Sequence, residues 1–223
     1  NLPGGAGTTL KLHSTVAVTG NVTNTATGVI STSAGTPTVT VTGTGTICGG
    51  NSGNCTFYNL SFAGSAITLG SDMTINNSLT LPATVTAGAT TLTMAGSGSL
   101  VGGGATLNNL IINGAGSTTT VTTSELTVSG TLTIGAAADG DNDTLGIASG
   151  LTVTLTGNSG TTLDIKNSGT DSINGPGRLT YQNSVTNFPT VGTLGSTLIT
   201  RLDVVNIANG NAMVMPQRTY GDV

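Results

Sequence analysis

Ser124-Glu125-Leu126-Thr127-Val128-Ser129-Gly130-Thr131-Leu132-Thr133-Ile134 is the stretch on which the fold turns. Aliphatic residues alternate with threonine one position at a time, and Ser-Gly interrupts the run midway. Period-two alternation over short runs bounded by Gly or Asn marks half-buried β-strands, with aliphatics inward and threonine outward. Threonine suits the outward position because it is β-branched and polar. The block recurs at Ser14–Thr23 and Ser71–Thr80, so the three copies begin at Ser14, Ser71 and Ser124 with nearly even spacing. A second block, Thr38–Ile47, recurs as Thr91–Leu100, and Thr56–Leu60 then matches Thr106–Leu110. No segment carries helical periodicity. Many short strands between glycine turns fit either a sandwich or a solenoid. The repeat favours the solenoid, in which each module covers the open end of its neighbour. The expectation is an all-β, right-handed parallel β-solenoid (β-helix) running continuously over 1–223. It would consist of about four degenerate modules, each of roughly 56 residues. Their approximate bounds are 1–57, 58–107, 108–164 and 165–223. β-Sandwich modules are the alternative.

The ends of the chain extend this pattern. Thr219-Tyr220-Gly221-Asp222-Val223 joined to Asn1-Leu2-Pro3 and onward to Leu10-Lys11-Leu12-His13-Ser14 aligns without a gap with Thr106–Ser124. Both then enter the same strand block. The chain therefore reads as one period of a longer array. The expected junction between units uses Tyr220, Gly221, Asp222, Val223, Asn1, Leu2, Leu10 and Leu12. The expected partners are other copies of this chain, head to tail. At about 4.8 Å per rung and roughly 20–25 residues per turn, one period would rise about 45 Å.

Composition excludes several functions. Charged residues make up 6% of the chain, against about 25% in ordinary soluble domains. The five basic residues, Lys11, Lys166, Arg178, Arg201 and Arg218, are scattered and the net charge is −4. No basic patch is available for phosphates, so no nucleic-acid partner is expected. No apolar run approaches the ~18 residues of a membrane span. Hydrophobic residues at 36%, mostly aliphatic and alternating, argue against disorder.

Thr56-Phe-Tyr-Asn-Leu-Ser-Phe-Ala-Gly-Ser65, followed by Ser71-Asp-Met-Thr-Ile-Asn-Asn-Ser-Leu-Thr-Leu81, resembles the repeats of very large bacterial surface proteins and adhesins. These are parallel β-helix proteins of the haemagglutinin and autotransporter-passenger type. The resemblance covers about three quarters of the chain. It implies a secreted, extended, non-enzymatic fibre or stalk at the cell surface, and it brings no catalytic residues.

Cys48 and Cys55 flank a Gly/Asn/Ser-rich loop able to close a disulfide, which would pin a surface loop and imply an oxidising, extracellular setting. Zinc would want four N or S ligands, and His13 is the sole histidine. In Asp139-Gly140-Asp141-Asn142-Asp143-Thr144, carboxylates alternate in a flexible loop. Asp139, Asp141 and Asp143 are therefore the expected ligands of a Ca²⁺ ion, although the sixth and twelfth positions do not follow the EF-hand pattern. The competing reading is a solvated corner turn. Thr-x-Thr runs such as Thr38/Thr40/Thr42, Thr91/Thr93, Thr131/Thr133 and Thr152/Thr154/Thr156 could stack into a flat face. That face supports the alternative function, an adhesin or ice-binding module. Asp164, Asp171, Asp203, Arg178 and Arg201 could gather on one face, as in carbohydrate-cleaving β-helix enzymes. Aromatic residues at 3% leave few stacking platforms for sugar rings, and no enzyme is expected.

Overall fold

The computed structural model describes residues 9–11, 14–23, 29–31, 35–49, 55–64, 66–136, 140–157, 162–166, 171–182 and 201–205. For 9–11, 29–31 and 201–205 only the backbone is described. Every strand pair is parallel, and the described residues contain no helix. The chain is a parallel β-solenoid, not a sandwich.

Each turn has three sides. The first side stacks Thr9–Lys11, Val29–Ser31, the opening halves of Cys55–Phe62 and Met73–Thr80, then Thr91–Met94, Asn109–Ile112, Leu132–Ile134 and Leu163–Ile165. The second stacks Val16–Val18, Thr38–Val41, the closing halves of the same two long strands, Gly98–Val101, Thr118–Val121, Thr144–Ile147 and Ser172–Asn174. The third side has two sections. One holds Val22–Thr23, Gly45–Gly49, Ala66–Leu69 and Thr84–Thr86; the other holds Thr106–Leu107, Leu126–Val128, Thr152–Leu155, Arg178–Gln182 and Arg201–Val205.

Alternation decides which residues enter the core. On the first side Cys55, Met73, Leu92, Leu110, Leu132 and Leu163 fall in one register column, and all are buried. Phe57, Ile75, Met94, Ile112, Ile134 and Ile165 form the next inward column. Val39, Leu60, Leu79, Leu100, Val121 and Ile147 do the same on the second side. The third side contributes Leu107, Val128, Leu155 and Tyr181. Small aliphatics thus build a continuous interior with few aromatics, because each side chain packs on the equivalent one above and below.

The repeat in the sequence is a repeat of sides. Val16–Val18 lies on the second side, Met73 and Ile75 on the first, and Leu126–Val128 on the third. Each copy of the block sits two full turns and two further sides beyond the previous one. Thr38–Val41 and Thr91–Met94 are offset in the same way, from second side to first. The block is a strand, a corner and a strand, which any corner of the triangle accepts. Turns differ in length. The turn from Cys55 to its register partner Met73 is short, and the turn from Leu132 to its partner Leu163 is long. Corners absorb the difference.

Corners pack closely. A methyl group added at Gly98 would overlap the backbone carbonyl of Asn77 on the turn before. On the two long strands the corner is instead a register shift between Phe57 and Asn59. There Asn59 Oδ1 accepts from Asn77 Nδ2 at 2.7 Å and from the Ser78 N–H at 3.2 Å.

Leu110→Ala is expected to cost about 2–5 kcal/mol by opening a cavity in a filled column. Gly98→Ala should cost about 1–3 kcal/mol through overpacking against backbone. Thr93→Val, on an outward column, should stay within about 0.5 kcal/mol. Denaturant titration of the three variants checks the ordering.

Candidate functional site

The corner between first and second sides carries a buried polar column. Thr118, Thr144 and Ser172 are register partners, and the residues just before them are Ser117, Asp143 and Asp171. All three are buried, Asp143 completely. Asp143 Oδ1 accepts from the Gly114 N–H at 3.1 Å, the Ser117 N–H at 2.9 Å and the Ser117 hydroxyl at 2.9 Å. Asp171 Oδ1 in turn accepts from the Asp143 N–H at 2.9 Å. Each carboxylate therefore holds the corner of the preceding turn. A tight turn makes this necessary: N–H groups there point inward with no strand partner, and buried donors need acceptors.

Asp141 joins the two buried acids. One carboxylate oxygen from each of Asp141, Asp143 and Asp171 lies within 4.8 Å of the others. Gly135 makes room for the third carboxylate. Its φ is +75°, and a side chain there would overlap the Asp171 carboxylate. Two ionised carboxylates at this separation repel by about 3.5 kcal/mol at an effective dielectric of about 20. Hydrogen-bond donors or a cation must offset that repulsion. Three converging carboxylates are the hard-oxygen donors that Ca²⁺ prefers.

The described residues add one acid to the expected set. Asp141 and Asp143 come together, while Asp139 lies outside the described residues. The acid that joins them is Asp171, one turn further on. Its distance from Asp143 along the chain, 28 residues, conceals it from a loop-based reading. The available signal was its place before an alternating strand, matching Asp143 before Thr144.

Cys48 and Cys55 are joined in a disulfide, with Cα atoms 6.1 Å apart. Cys48 belongs to Gly45–Gly49 on the third side, and Cys55 opens the next turn's first side. Both are buried, and Cys55 continues the column of Met73 and Leu92. The bridge is therefore part of the core as well as a clasp on the loop between the cysteines.

The acids and arginines considered for catalysis divide between different parts of the triangle. Asp164 sits on the first side, ion-paired with Lys166. Asp171 is in the corner column, and Arg178 pairs in register with Arg201 on the third side, with Asp203 opposite Thr180. Of the expected junction residues, Leu10 falls in the strand Thr9–Lys11, and the rest lie outside the described residues.

The Thr-x-Thr runs are spread over all three sides, and among the described residues no pair repeats on every turn. A single threonine does repeat. On the third side Thr46, Thr68 and Thr86 share one outward column. In the second section of that side Thr106, Thr127, Thr154 and Thr180 share another. The first side's equivalent column runs Thr56, Thr74, Thr93 and is then broken by Ile111.

No protein-family model matches this sequence, and neither curated proteins nor solved structures give a match. Among the described residues no helix is long and apolar enough to cross a membrane. The disulfide is compatible with an extracellular protein.

Asp143→Ala should be the most damaging change at the corner. It orphans two backbone N–H groups and a hydroxyl, at about 1–3 kcal/mol for each buried donor. Asp141→Ala should cost less than about 1 kcal/mol, since Asp141 is only half-buried. Thermal unfolding of the two variants side by side provides the comparison.

Proposed function

We propose that this chain is a structural unit of an extracellular or cell-surface fibre, as a separate subunit or as a tandem repeat of a larger protein. The observation that carries the reading is the unbroken stacking of inward columns from turn to turn. A shaft needs that continuity, and any further turn with the same alternation extends it at the same register. Among the described residues Arg201–Val205 is paired along one edge only. An unpaired strand edge is a template for another strand. The gapless match of Thr219–Val223 plus Asn1–Ser14 to Thr106–Ser124 supports a following copy as the natural continuation. The C-terminal segment of one unit then runs into the N-terminal strands of the next.

Two further features fit this reading. Sparse charge and a buried disulfide suit a shaft whose strength comes from backbone hydrogen bonds and aliphatic packing. The convergence of Asp141, Asp143 and Asp171 favours Ca²⁺ as a clamp on one corner, since it ties consecutive turns together. The alternative role, a surface-binding adhesin or ice-binding module, is favoured by the threonine columns of the third side. Loss of surface or ice binding in Thr68→Val/Thr127→Val/Thr154→Val with assembly intact would select it.

The deciding measurement is the mass of native material after full denaturation and reduction, read beside electron micrographs of the same material. Filaments that dissolve into 21.7 kDa chains indicate docked subunits. Filaments that yield a single much larger polypeptide indicate tandem repeats. Monodisperse particles with no filaments under any condition would sink the fibre reading.

Calcium gives a separate check. At tenfold excess over a site's Kd, binding stabilises by about 1.4 kcal/mol. For a chain of this size that raises Tm by about 4 °C. Calcium added after chelator treatment should produce that rise in the native chain and none in Asp171→Asn.

A further inference from the structure

The disulfide asks more of the backbone than a regular strand provides. Side chains along a strand point alternately to its two faces. Ile47 is buried in the interior, so Cys48 beside it would face outward in a regular strand. Its partner Cys55 lies in the inward column of Met73 and Leu92. The two sulfurs meet only if the alternation breaks.

It breaks at Cys48. Val22 pairs with Ile47, but Thr23 pairs with Gly49, so Cys48 is an extra residue in the ladder. Its φ is +58°. In one common form of bulge the extra residue is a glycine in this left-handed region, where a side chain is strained. Ile47, Cys48 and Gly49 are buried in succession, whereas an alternating strand buries every second residue. Missing side chains clear the space. One at Gly49 would strike the Thr46 methyl group, and one at Gly70 on the next turn would strike the Gly49 backbone. The next turn also fastens the bulge. The Ser71 hydroxyl donates to the Cys48 carbonyl at 2.7 Å, and the Gly70 N–H donates to the Ile47 carbonyl at 2.8 Å.

Bond and bulge therefore depend on each other. With two thiols in place of the bond, a less strained register is open to the strand. Thr23 then stands opposite Cys48, the Cys48 φ returns to the β region, and its side chain faces outward beside Thr46. A shift of one residue turns a side chain to the other face of a sheet.

We propose that oxidation of Cys48 and Cys55 switches the register of this strand, and that Cys48 is the thiol through which oxidation begins. In the dithiol chain Cys48 faces solvent on the third side and Cys55 stays in the core. The Cys48 thiolate attacks one sulfur of a small disulfide such as oxidised glutathione, displaces one thiolate and forms a mixed disulfide. The Cys55 thiolate then attacks the Cys48 sulfur and displaces the second thiolate. The protons lost by the two cysteines end on the two released thiols, and the electrons that reduce the small disulfide come from the cysteines. The finished bond draws Cys48 inward and leaves the bulge. The register of one strand thus follows the passage of the chain into an oxidising setting. This inference does not rest on the fibre reading.

Thiol labelling tests it. The full chain is refolded with a phosphine reductant and given timed pulses of iodoacetamide, and labelled peptides are read by mass. Cys48 should react roughly tenfold faster than Cys55 or more, since an accessible thiol is reactive and a buried one inert. A brief pulse of oxidised glutathione should place the mixed disulfide on Cys48. Equal labelling overturns the proposal, whether slow at both sites, as in a bulge that survives reduction, or fast at both, as in a corner that melts without its bond. Cys48→Gly and Cys48→Ala, kept reduced, give a second reading without labels. Glycine favours the left-handed bulge, and alanine favours a regular strand. Cys48→Ala should melt at the higher temperature. An equal or reversed order means that the bulge stays without the bond, and overturns the proposal.

Discussion

The in-register hydrogen-bond ladder between successive turns is the constraint on which everything else depends. A parallel ladder aligns residue with residue, so each column must hold side chains that tolerate their own kind one rung away. Inward columns satisfy this with Leu, Ile, Val and Met, which interdigitate without demanding polar partners. Outward columns satisfy it with Thr, Ser and Asn, whose hydroxyls and amides can bond along the column. Ser99 and Ser78 do so at 3.3 Å, and Thr144 and Ser172 at 3.1 Å.

Corners are where this economy of side chains fails, and chemistry collects there. A strand satisfies its backbone groups by pairing, but a corner turns some of them inward. The chain answers in three ways. The Asn59–Asn77 corner uses a register shift with stacked amides. The corner at Gly96 and Gly98 omits side chains at those two positions and so closes on the turn before. The Ser117–Asp143–Asp171 corner uses buried carboxylates as acceptors. The third solution imports charge into the interior, which makes that corner both a staple and the strongest cation candidate among the described residues.

Much of the fold was legible in the sequence for a specific reason. Alternation in Leu126–Val128 and Leu132–Ile134 fixes strand faces locally, and recurrence of the block implies stacking. The turn itself was hidden, because the recurring unit is a corner with its two strands and a triangle offers three equivalent corners. The copies that begin at Ser14, Ser71 and Ser124 thus fall on different sides. The same phase problem concealed Asp171 from the metal reading and dispersed the Thr-x-Thr pairs. The threonine column of the third side, by contrast, emerges only when turns of unequal length are brought into register. The step from Thr127 to Thr154 is longer along the chain than the step from Thr46 to Thr68, yet each is a single rung. The disulfide was legible because two cysteines on one short loop left a single pairing, but their burial was not, since it depends on Cys55 entering the column of Met73.

The same register explains why charge is so rare. A charged residue in a parallel column meets whatever its own column holds about 4.8 Å away, and a like charge there costs about 0.9 kcal/mol in water and about 3.5 kcal/mol at an effective dielectric of about 20. A stable shaft therefore disfavours charge in its columns. Threonine and serine carry no such penalty, and composition drifts toward them. Charges in adjacent turns therefore need donors or counter-charges around them. Asp143 and Asp171 persist with backbone and hydroxyl donors around them. Arg178 and Arg201 persist as register partners on the third side, in the column that Glu125 and Thr152 begin. In a chain built by repetition, the departures from repetition are where function is to be sought.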